Sequence, residues 1–265
     1  MSARIRLGCQ GWSYPDWVGT FYPPGARQEH QLPFYGRVFD TVELDTTFYR
    51  APRATIARSW ARHTPADFSF AAKVPRAITH DAGLAGVKDA LEAFVRALDP
   101  LGEKLGPLLV QMPAAFRRTQ DTERALRRFL ADAPEGVRIA VEFRHASWHA
   151  APVYEALAAR RACLAWTEWR DLPQATVVTG DFLYVRWLGD REEILRYDRV
   201  QIDRAASFGR WEAALRRALP EVREVFGYFN NHWAGHSPAS AAEMRRRLGL
   251  ATPDPRALWP QGELF

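Results

Sequence analysis

Lysine is scarce in this sequence although the chain is basic. Lys73, Lys88 and Lys104 are the only lysines among 265 residues, yet the formal net charge is +5 and the isoelectric point is about 9.5. Arginine therefore supplies nearly all of the positive charge, much of it in helical patterns that a solvated helix face accounts for. A net charge of this sign is compatible with an anionic partner but does not identify one.

Cysteine and long apolar runs are also lacking. Cys9 and Cys163 are the only cysteines and lie in separate apolar runs, so we expect two buried thiols rather than a disulfide or a metal pair. No run approaches the roughly 20 apolar residues that a membrane helix requires, and the N-terminal residues show no signal-peptide core. We therefore expect a soluble, cytoplasmic protein that does not contact a membrane.

Short apolar runs of strand length are present instead. They cover residues 5–9, 41–44, 68–73, 108–111, 139–142, 163–166, 182–187 and 225–229, and helical patterns separate them. This alternation predicts an α/β fold with parallel strands and right-handed crossovers. Eight such strands most economically close into a single-domain, TIM-barrel-like (β/α)₈ barrel. An open doubly wound sheet is the alternative, which no glycine-rich phosphate loop supports.

Residues 1–250 are assigned to the barrel and residues 251–265 to a C-terminal tail. The last helical pattern starts at Ser237, a candidate N-cap with Pro238 at the first helical position, and Gly249 ends it. Two segments depart from the strand–helix repeat, namely residues 12–36, which are rich in aromatic residues, glycine and proline, and the charged residues 190–204. We interpret both as candidate lids over the barrel mouth.

Polar side chains stand at the end of nearly every predicted strand. Because the chemistry of such barrels lies at the C-terminal strand ends, we expect these side chains to meet in one cup. The catalytic candidates are Glu43, Lys73 and Glu142. The candidates for substrate binding are Trp12, Tyr14, Asp45, Gln111, Arg144, Arg186, Asn230 and Asn231.

An anion site fits this set of side chains. Arg144 and Arg186 can hold a carboxylate or a phosphate through bidentate hydrogen bonds. Lys73 stands at a strand end in a chain that otherwise uses arginine, which favours proton transfer, imine formation or a compact point charge. The alternative is an ion pair between Lys73 and a glutamate that only fills the top of the barrel.

The remaining candidates also carry two interpretations each. Glu142 or Glu43 acts as a general base, or Glu142 forms an internal salt bridge that orients Arg144. Asn230 and Asn231 orient a substrate oxygen or form a turn. Trp12 and Tyr14 belong to an aromatic loop that stacks on a sugar or base or packs as a core. We expect no metal, because the basic side chains in the same mouth would repel a divalent ion, and we expect no cofactor.

Several blocks of sequence resemble the YecE-like family, a widespread bacterial and archaeal domain of unknown function. They are GWSYPDWVGTFYP (residues 11–23), FDTVELDTTFYR (39–50), TPADFSFAAKVPRAITHD (64–81), KLGPLLVQMPAAF (104–116), VEFRHASW (141–148) and GYFNNHWAGHSPASA (227–241). The resemblance implies a TIM-barrel-like fold and no settled activity. The chain departs from the family pattern at Asp45, where asparagine is usual, and at Leu188, where the family commonly has histidine.

The tail ends in Gln261-Gly-Glu-Leu-Phe265, which resembles the short peptide by which bacterial replication and repair proteins dock on the sliding clamp. Gln261, Leu264 and Phe265 would be the docking residues. The alternative is an ordinary tail that folds back onto the barrel.

Three functions remain open on this evidence. The favoured one is a metal-independent enzyme of the hydrolase or lyase type that acts on a small anionic or phosphorylated substrate at the barrel mouth. The second is a nucleic-acid-associated protein of DNA metabolism, which the basic charge and the tail favour. The third is a non-catalytic ligand-binding barrel.

Overall fold

The computed structural model describes residues 3–169, 172–190 and 194–260. A parallel sheet forms the centre of the molecule, and its strands are β1 (Arg4–Gln10), β2 (Thr41–Leu44), β3 (Ser69–Lys73), β4 (Leu105–Gln111), β5 (Ile139–Glu142), β6 (Cys163–Leu164), β7 (Trp166–Glu168), β8 (Phe182–Trp187) and β9 (Glu224–Phe229). All of the predicted runs contain a strand, and only the sixth is divided in two.

The nine strand segments run in the order β6-β5-β4-β3-β2-β1-β9-β8-β7. The two ends of this order, β6 and β7, are consecutive in the chain and are separated only by Ala165. The sixth predicted strand therefore pairs with β5 through its first half and with β8 through its second half. The sheet is nearly closed into a barrel, which confirms the predicted fold class over the open doubly wound sheet.

Helices surround the sheet, as the strand–helix alternation predicts. They are α1 (Gln28–Val38), α2 (Ala54–Arg62), α3 (Lys88–Leu98), α4 (Gln120–Asp132), α5 (Ala151–Ala158), α6 (Ala205–Ala218), α7 (Asn231–Ala234) and α8 (Ser237–Arg247). In the described part of the chain, no helix is both long and apolar enough to cross a membrane.

Strand alternation sorts the side chains into two apolar clusters. The larger lies between the sheet and the helices. The smaller contains Ala71, Leu109, Ala140, Tyr184 and Phe226 among others, all from positions that face the barrel interior. Polar interior positions follow at the strand ends and carry the candidate site. Cys9 and Cys163 are both buried free thiols, as expected.

The segment that we interpret as a first lid is largely part of the core. Trp17, Phe21 and Tyr22 are buried, and Phe21 stacks on Phe39 at the end of α1 with ring centroids 5.8 Å apart. Residues 28–36 of this segment belong to α1, which the sequence does not predict. Only the residues nearest β1 remain close to the barrel mouth.

The second candidate lid, residues 190–204, lies partly outside the described residues because it includes residues 191–193. Of its described part, Ile194 is buried, and the backbone N–H of Tyr197 donates to Asp16 in the first loop at 2.9 Å. The Gln201 N–H donates to Ala234 O at 2.7 Å. These contacts hold the segment against the first loop and α7.

The N-cap of α8 is His236 rather than Ser237. Its Nδ1 accepts from the Ala239 N–H at 3.3 Å, while the Ser237 side chain turns inward and donates to Asn231 at 2.8 Å. Gly249 ends this helix as predicted, with φ of +76°. Beyond it, Trp259 Nε1 donates to Phe21 O at 3.2 Å, so the tail contacts the first loop at this residue.

Candidate functional site

A cleft of about 510 Å³ lies at the C-terminal ends of the strands. Six of the predicted site residues line it, and they come from the ends of six different strands: Asp45, Lys73, Gln111, Arg144, Arg186 and Asn230. The parallel arrangement brings these positions together because every strand ends at the same rim. The expectation that scattered polar residues share one cup is therefore met for these six.

Arg186 lies at the base of this cleft and is held by two buried glutamates. Its Nε and one Nη donate to Glu43 at 2.9 and 2.8 Å, and its other Nη donates to Glu142 at 2.6 Å. Tyr184 OH also donates to Glu43 at 2.6 Å. Both carboxylates have no exposed surface. The guanidinium is thus oriented before any ligand arrives, because the two buried carboxylates hold it in place from the side opposite the cleft.

Glu142 is ionised in this environment. Burial alone would raise the pKa of its carboxyl, but the charges of Arg144 and Arg186 and their hydrogen bonds lower that pKa to about 2. Arg144 Nε donates to Glu142 at 2.5 Å, and the Arg144 guanidinium carbon lies 4.1 Å from the ring centroid of Trp169. The internal salt bridge that we consider for Glu142 and Arg144 is present, and Glu142 does not line the cleft.

Lys73 pairs with an aspartate rather than with a glutamate. Its Nζ donates to Asp45 at 3.2 Å and lies 4.1 Å from the ring centroid of Phe48. Burial lowers the pKa of this ammonium, and the charge of Arg186 adds to that, although Asp45 opposes it. Lys73 has little exposed surface, and that surface faces the cleft. A lysine of this kind exchanges its proton more readily than a solvated one.

Two amides complete the polar rim. Asn230 Nδ2 donates to Gln10 Oε1 at 2.8 Å, and Asn230 Oδ1 caps α7 by accepting from the His232 N–H at 2.9 Å. Gln111 Nε2 makes a long contact of 3.4 Å to Met112 O. These amides present neutral donors and acceptors beside the charged groups.

Asn231 lies away from the cleft. Its Oδ1 accepts from Trp17 Nε1 at 3.2 Å and from the N–H and hydroxyl of Ser237 at 3.0 and 2.8 Å. The asparagine pair thus separates into one residue at the rim and one that joins the first loop to α8.

Trp12 and Tyr14 line a neighbouring, smaller cleft together with Asp45. Tyr14 OH donates to Gln10 O at 2.7 Å.

Several lining residues are absent from the sequence-based set. Arg76 and His80 follow β3, where residues Ala77–Asp81 form a π-helix, an element that often occurs at functional sites. Burial lowers the pKa of His80, and the charges of Lys73 and Arg76 lower it further. The signal that would have found both is their position in the loop directly after Lys73, inside one of the quoted family blocks.

The donor set for a metal is weak in this cleft. Among the described residues, no three His, Cys, Asp or Glu side chains lie close enough together to hold a metal ion. Basic side chains outnumber the lining carboxylates Asp45 and Asp190. The predicted clamp-docking residues of the tail, Gln261, Leu264 and Phe265, lie outside the described residues.

Comparison with known proteins identifies relatives over nearly the whole chain. The family model described as protein of unknown function DUF72 matches residues 6–263. The UPF0759 protein YunF of Bacillus subtilis is 25% identical over 281 aligned positions, covering 93% of this chain and 95% of that protein. The UPF0759 protein YecE of Escherichia coli K12 is 32% identical over 146 residues, which are 55% of this chain and 50% of that protein. The chain therefore spans about half the length of this last relative.

Solved structures agree with these sequence matches. A DUF72 family protein from Thermotoga maritima superimposes with a TM-score of 0.80 at 28% identity, covering 93% of this chain and 99% of that one. A DUF72 family protein from Enterococcus faecalis gives a TM-score of 0.78 at 21% identity, covering 98% and 100%. At 21% identity, the similarity to the Enterococcus faecalis protein shows only that the fold is shared. Together with the sequence matches, these findings confirm the resemblance to the YecE-like family.

Proposed function

Since the chain belongs to the DUF72 family, whose description names no activity, we propose its function from the cleft itself. The protein is a metal-independent enzyme of the hydrolase or lyase type, and its substrate is a small anionic or phosphorylated molecule. The observation that carries this proposal is the convergence of Lys73, Arg76, Arg144 and Arg186 on one cleft of about 510 Å³. This volume is within the range of small-ligand sites.

Arg144 and Arg186 form the anion clamp in this proposal. The contacts with Glu43 and Glu142 use three of the five N–H groups of Arg186, so donors remain for a ligand on the cleft side. Because the buried carboxylates already fix both guanidiniums, binding an anion costs little further side-chain ordering. Glu43 and Glu142 are then positioning residues, and the low pKa of Glu142 makes it a poor proton acceptor.

Proton transfer falls to groups that line the cleft. His80 is neutral near pH 7 because burial and its cationic neighbours lower its pKa, and a neutral imidazole accepts a proton. Lys73, whose pKa is also lowered by burial, supplies a compact positive charge or an amine nucleophile. The acid–base role that the sequence suggests for Glu43 and Glu142 thus moves to residues of the rim.

The experiment that tests this proposal measures anion binding by calorimetry, with inorganic phosphate and pyrophosphate as probes. We expect saturable binding that weakens about tenfold or more in Lys73→Met and in Arg144→Met, since each variant loses a charge-assisted contact. Lys88→Met on the exposed start of α3 is the matched control and should bind as the original protein does. No binding, or equal binding by all variants, would contradict the proposal.

Turnover separates an enzyme from a ligand-binding barrel. A panel of phosphate monoesters and carboxylates that compete with inorganic phosphate is incubated with the protein, with Lys73→Met and with His80→Gln. We expect product from at least one compound and a large loss of rate in both variants. Saturable binding without any product would instead favour the non-catalytic barrel.

Association with nucleic acid is the second candidate, and the rim gives it one specific observation. Tyr49 is 76% exposed beside the basic cleft, as in a platform on which a base can stack. A steep decrease of DNA or RNA affinity with salt would support this candidate, and no binding at low salt would end it.

Docking on the sliding clamp through residues 261–265 is proposed separately. Deleting these residues should abolish the pull-down of the clamp and leave the melting temperature unchanged.

A further inference from the structure

A second, smaller cleft of about 270 Å³ adjoins the basic one. Asp45 and Tyr49 line both clefts, so the two spaces meet at these residues. The smaller cleft is mainly apolar and is lined by Trp12 and Tyr14 from the first loop. A charged compartment and an aromatic compartment thus lie next to each other at the barrel mouth.

Aromatic rings lead from one compartment to the other. Tyr49 is 76% exposed and meets Phe48 edge to face, with ring centroids 5.2 Å apart. Phe48 in turn lies 4.1 Å from Lys73 Nζ. Trp12 is partly exposed and is held edge-on against Trp60, with centroids 5.7 Å apart. A large exposed ring at the rim of a cleft gives a planar ligand a surface on which to stack.

Asp45 lies where the compartments join, and one of its oxygens is occupied. Its Oδ1 accepts from Lys73 at 3.2 Å, and its side chain is 42% exposed. Within residues 3–169, 172–190 and 194–260, no hydrogen bond uses its Oδ2. An ionised carboxylate is an acceptor only. A ligand that crosses from one compartment to the other can therefore place a hydrogen-bond donor at this point.

We propose that the two clefts form one bipartite site for a nucleoside monophosphate. The phosphate lies among Lys73, Arg144 and Arg186, a sugar hydroxyl donates to Asp45, and the base stacks beside Tyr49 and Trp12. This inference rests on the proposed function and names its substrate class. Inorganic phosphate or a sugar phosphate would occupy only the basic compartment, whereas an aryl phosphate would reach the rings without a donor for Asp45.

Calorimetry with four probes tests each part of this assignment. The probes are adenosine 5′-monophosphate, its 2′,3′-dideoxy analogue, ribose 5-phosphate and adenosine. We expect adenosine 5′-monophosphate to bind about tenfold or more tightly than ribose 5-phosphate because of stacking. The dideoxy analogue should bind about tenfold more weakly than the parent because it lacks the donor for Asp45. Adenosine alone should bind more weakly than the monophosphate.

Tyr49→Ala tests whether the tighter binding of adenosine 5′-monophosphate depends on the aromatic compartment. This variant should lose most of the advantage of adenosine 5′-monophosphate over ribose 5-phosphate, because it removes the stacking ring and keeps the charged side chains that hold the phosphate. Ile56→Ala, at an exposed apolar residue of α2, is the matched control and should keep the advantage.

The possible outcomes separate this inference from the proposed function. If ribose 5-phosphate and the nucleotide bind equally well, the bipartite site is overturned while the anion site stands. If none of the phosphorylated probes binds, both fall. If a 5′-phosphorylated oligonucleotide binds more tightly than the monophosphate, the ligand is nucleic acid and the assignment to a mononucleotide is overturned.

Discussion

Glu142 is a single residue in which burial and charge pairing oppose each other. It has no exposed surface, and Arg144 and Arg186 both donate to its carboxylate. Glu142→Gln keeps the shape of the side chain and removes its negative charge, so the guanidiniums of Arg144 and Arg186 lose a buried counter-charge. Because breaking a buried ion pair from one side leaves the other charge uncompensated, we expect the free energy of unfolding to fall by about 3–5 kcal/mol. Urea denaturation at pH 7 measures the loss.

A surface glutamate provides the control for this substitution. Glu243 on α8 pairs with Arg246 and Arg247 in a more exposed setting. Glu243→Gln should cost no more than about 1 kcal/mol, since exposed pairs are screened by water. If Glu142→Gln proved as mild as this control, the charge network beneath the cleft would not contribute to stability.

The same residue predicts a pH dependence. In the folded protein the pKa of Glu142 is about 2, against an ordinary value of 4.5. The unfolded chain therefore binds this proton first as the pH falls. The contribution of Glu142 to stability is present above about pH 4.5 and is lost toward pH 2. We expect the stability difference between the original protein and Glu142→Gln to shrink over that window in urea titrations, and a constant difference would contradict the assignment.

At the level of elements, helix α1 closes a gap in the sheet. In the described part of the chain, β1 pairs with β2 only at Cys9–Val42 and Gln10–Glu43. Before that point, Tyr35 OH of α1 donates to Thr41 O at 2.9 Å and accepts from the Cys9 N–H at 2.8 Å. A tyrosine hydroxyl thus replaces one step of the ladder between the first two strands.

Removing this hydroxyl should therefore destabilise the protein. Tyr35→Phe leaves a buried N–H and a buried carbonyl without this partner, and we expect a loss of about 2 kcal/mol in the free energy of unfolding. Tyr154→Phe on α5 is the control, because its hydroxyl makes no hydrogen bond within the described part of the chain. Equal stability of both variants in urea denaturation would show that the hydroxyl of Tyr35 does not support the pairing.

Helix α1 also shows what sequence patterns miss at this scale. Its residues include Pro33 and Gly36, which are typical of loops, and so residues 12–36 read as a lid. The helix forms because Leu32, Phe34 and Tyr35 are buried against the sheet and the first loop. The strands, by contrast, are predictable because continuous apolar runs of strand length have few alternatives in an α/β chain.

The residues of the candidate site likewise fall into those that the sequence predicts and those that it does not. Strand-end residues such as Lys73 and Arg186 are predictable, because alternation and parallel order alone place them at one rim. Arg76 and His80 are not, since Arg76 caps and His80 belongs to a π-helix, an element that the periodicity of apolar residues does not predict. Asn231 follows a rim residue but turns away from the cleft, because Asn230 is the extended N-cap of α7 and Asn231 is the first residue of that helix.

At the scale of the whole molecule, the barrel closes through one interrupted strand. Ala165 N–H donates to Val141 O of β5, so the Leu164 N–H points to the opposite side, toward the seam. There Thr179 Oγ1 accepts from the Leu164 N–H and donates to Ala162 O, both at 2.7 Å. A side chain just before β8 thus takes the place of strand pairing where β6 and β8 are not joined.

Loss of the Thr179 hydroxyl should therefore destabilise the barrel at this seam. Thr179→Val keeps the volume and deprives the Leu164 N–H and the Ala162 carbonyl of their partner, so we expect about 2 kcal/mol of lost stability. A loss of about 2 kcal/mol weakens the protection of amides in β1 and β9 that exchange by global unfolding by about 30-fold. Hydrogen exchange should show that the protection of the Leu164 amide falls by at least about tenfold more than that. Thr55→Val on exposed α2 is the control and should alter neither. Unchanged protection at Leu164 would mean that β6 is held by β5 alone, and that closure of the barrel does not depend on the side chain of Thr179.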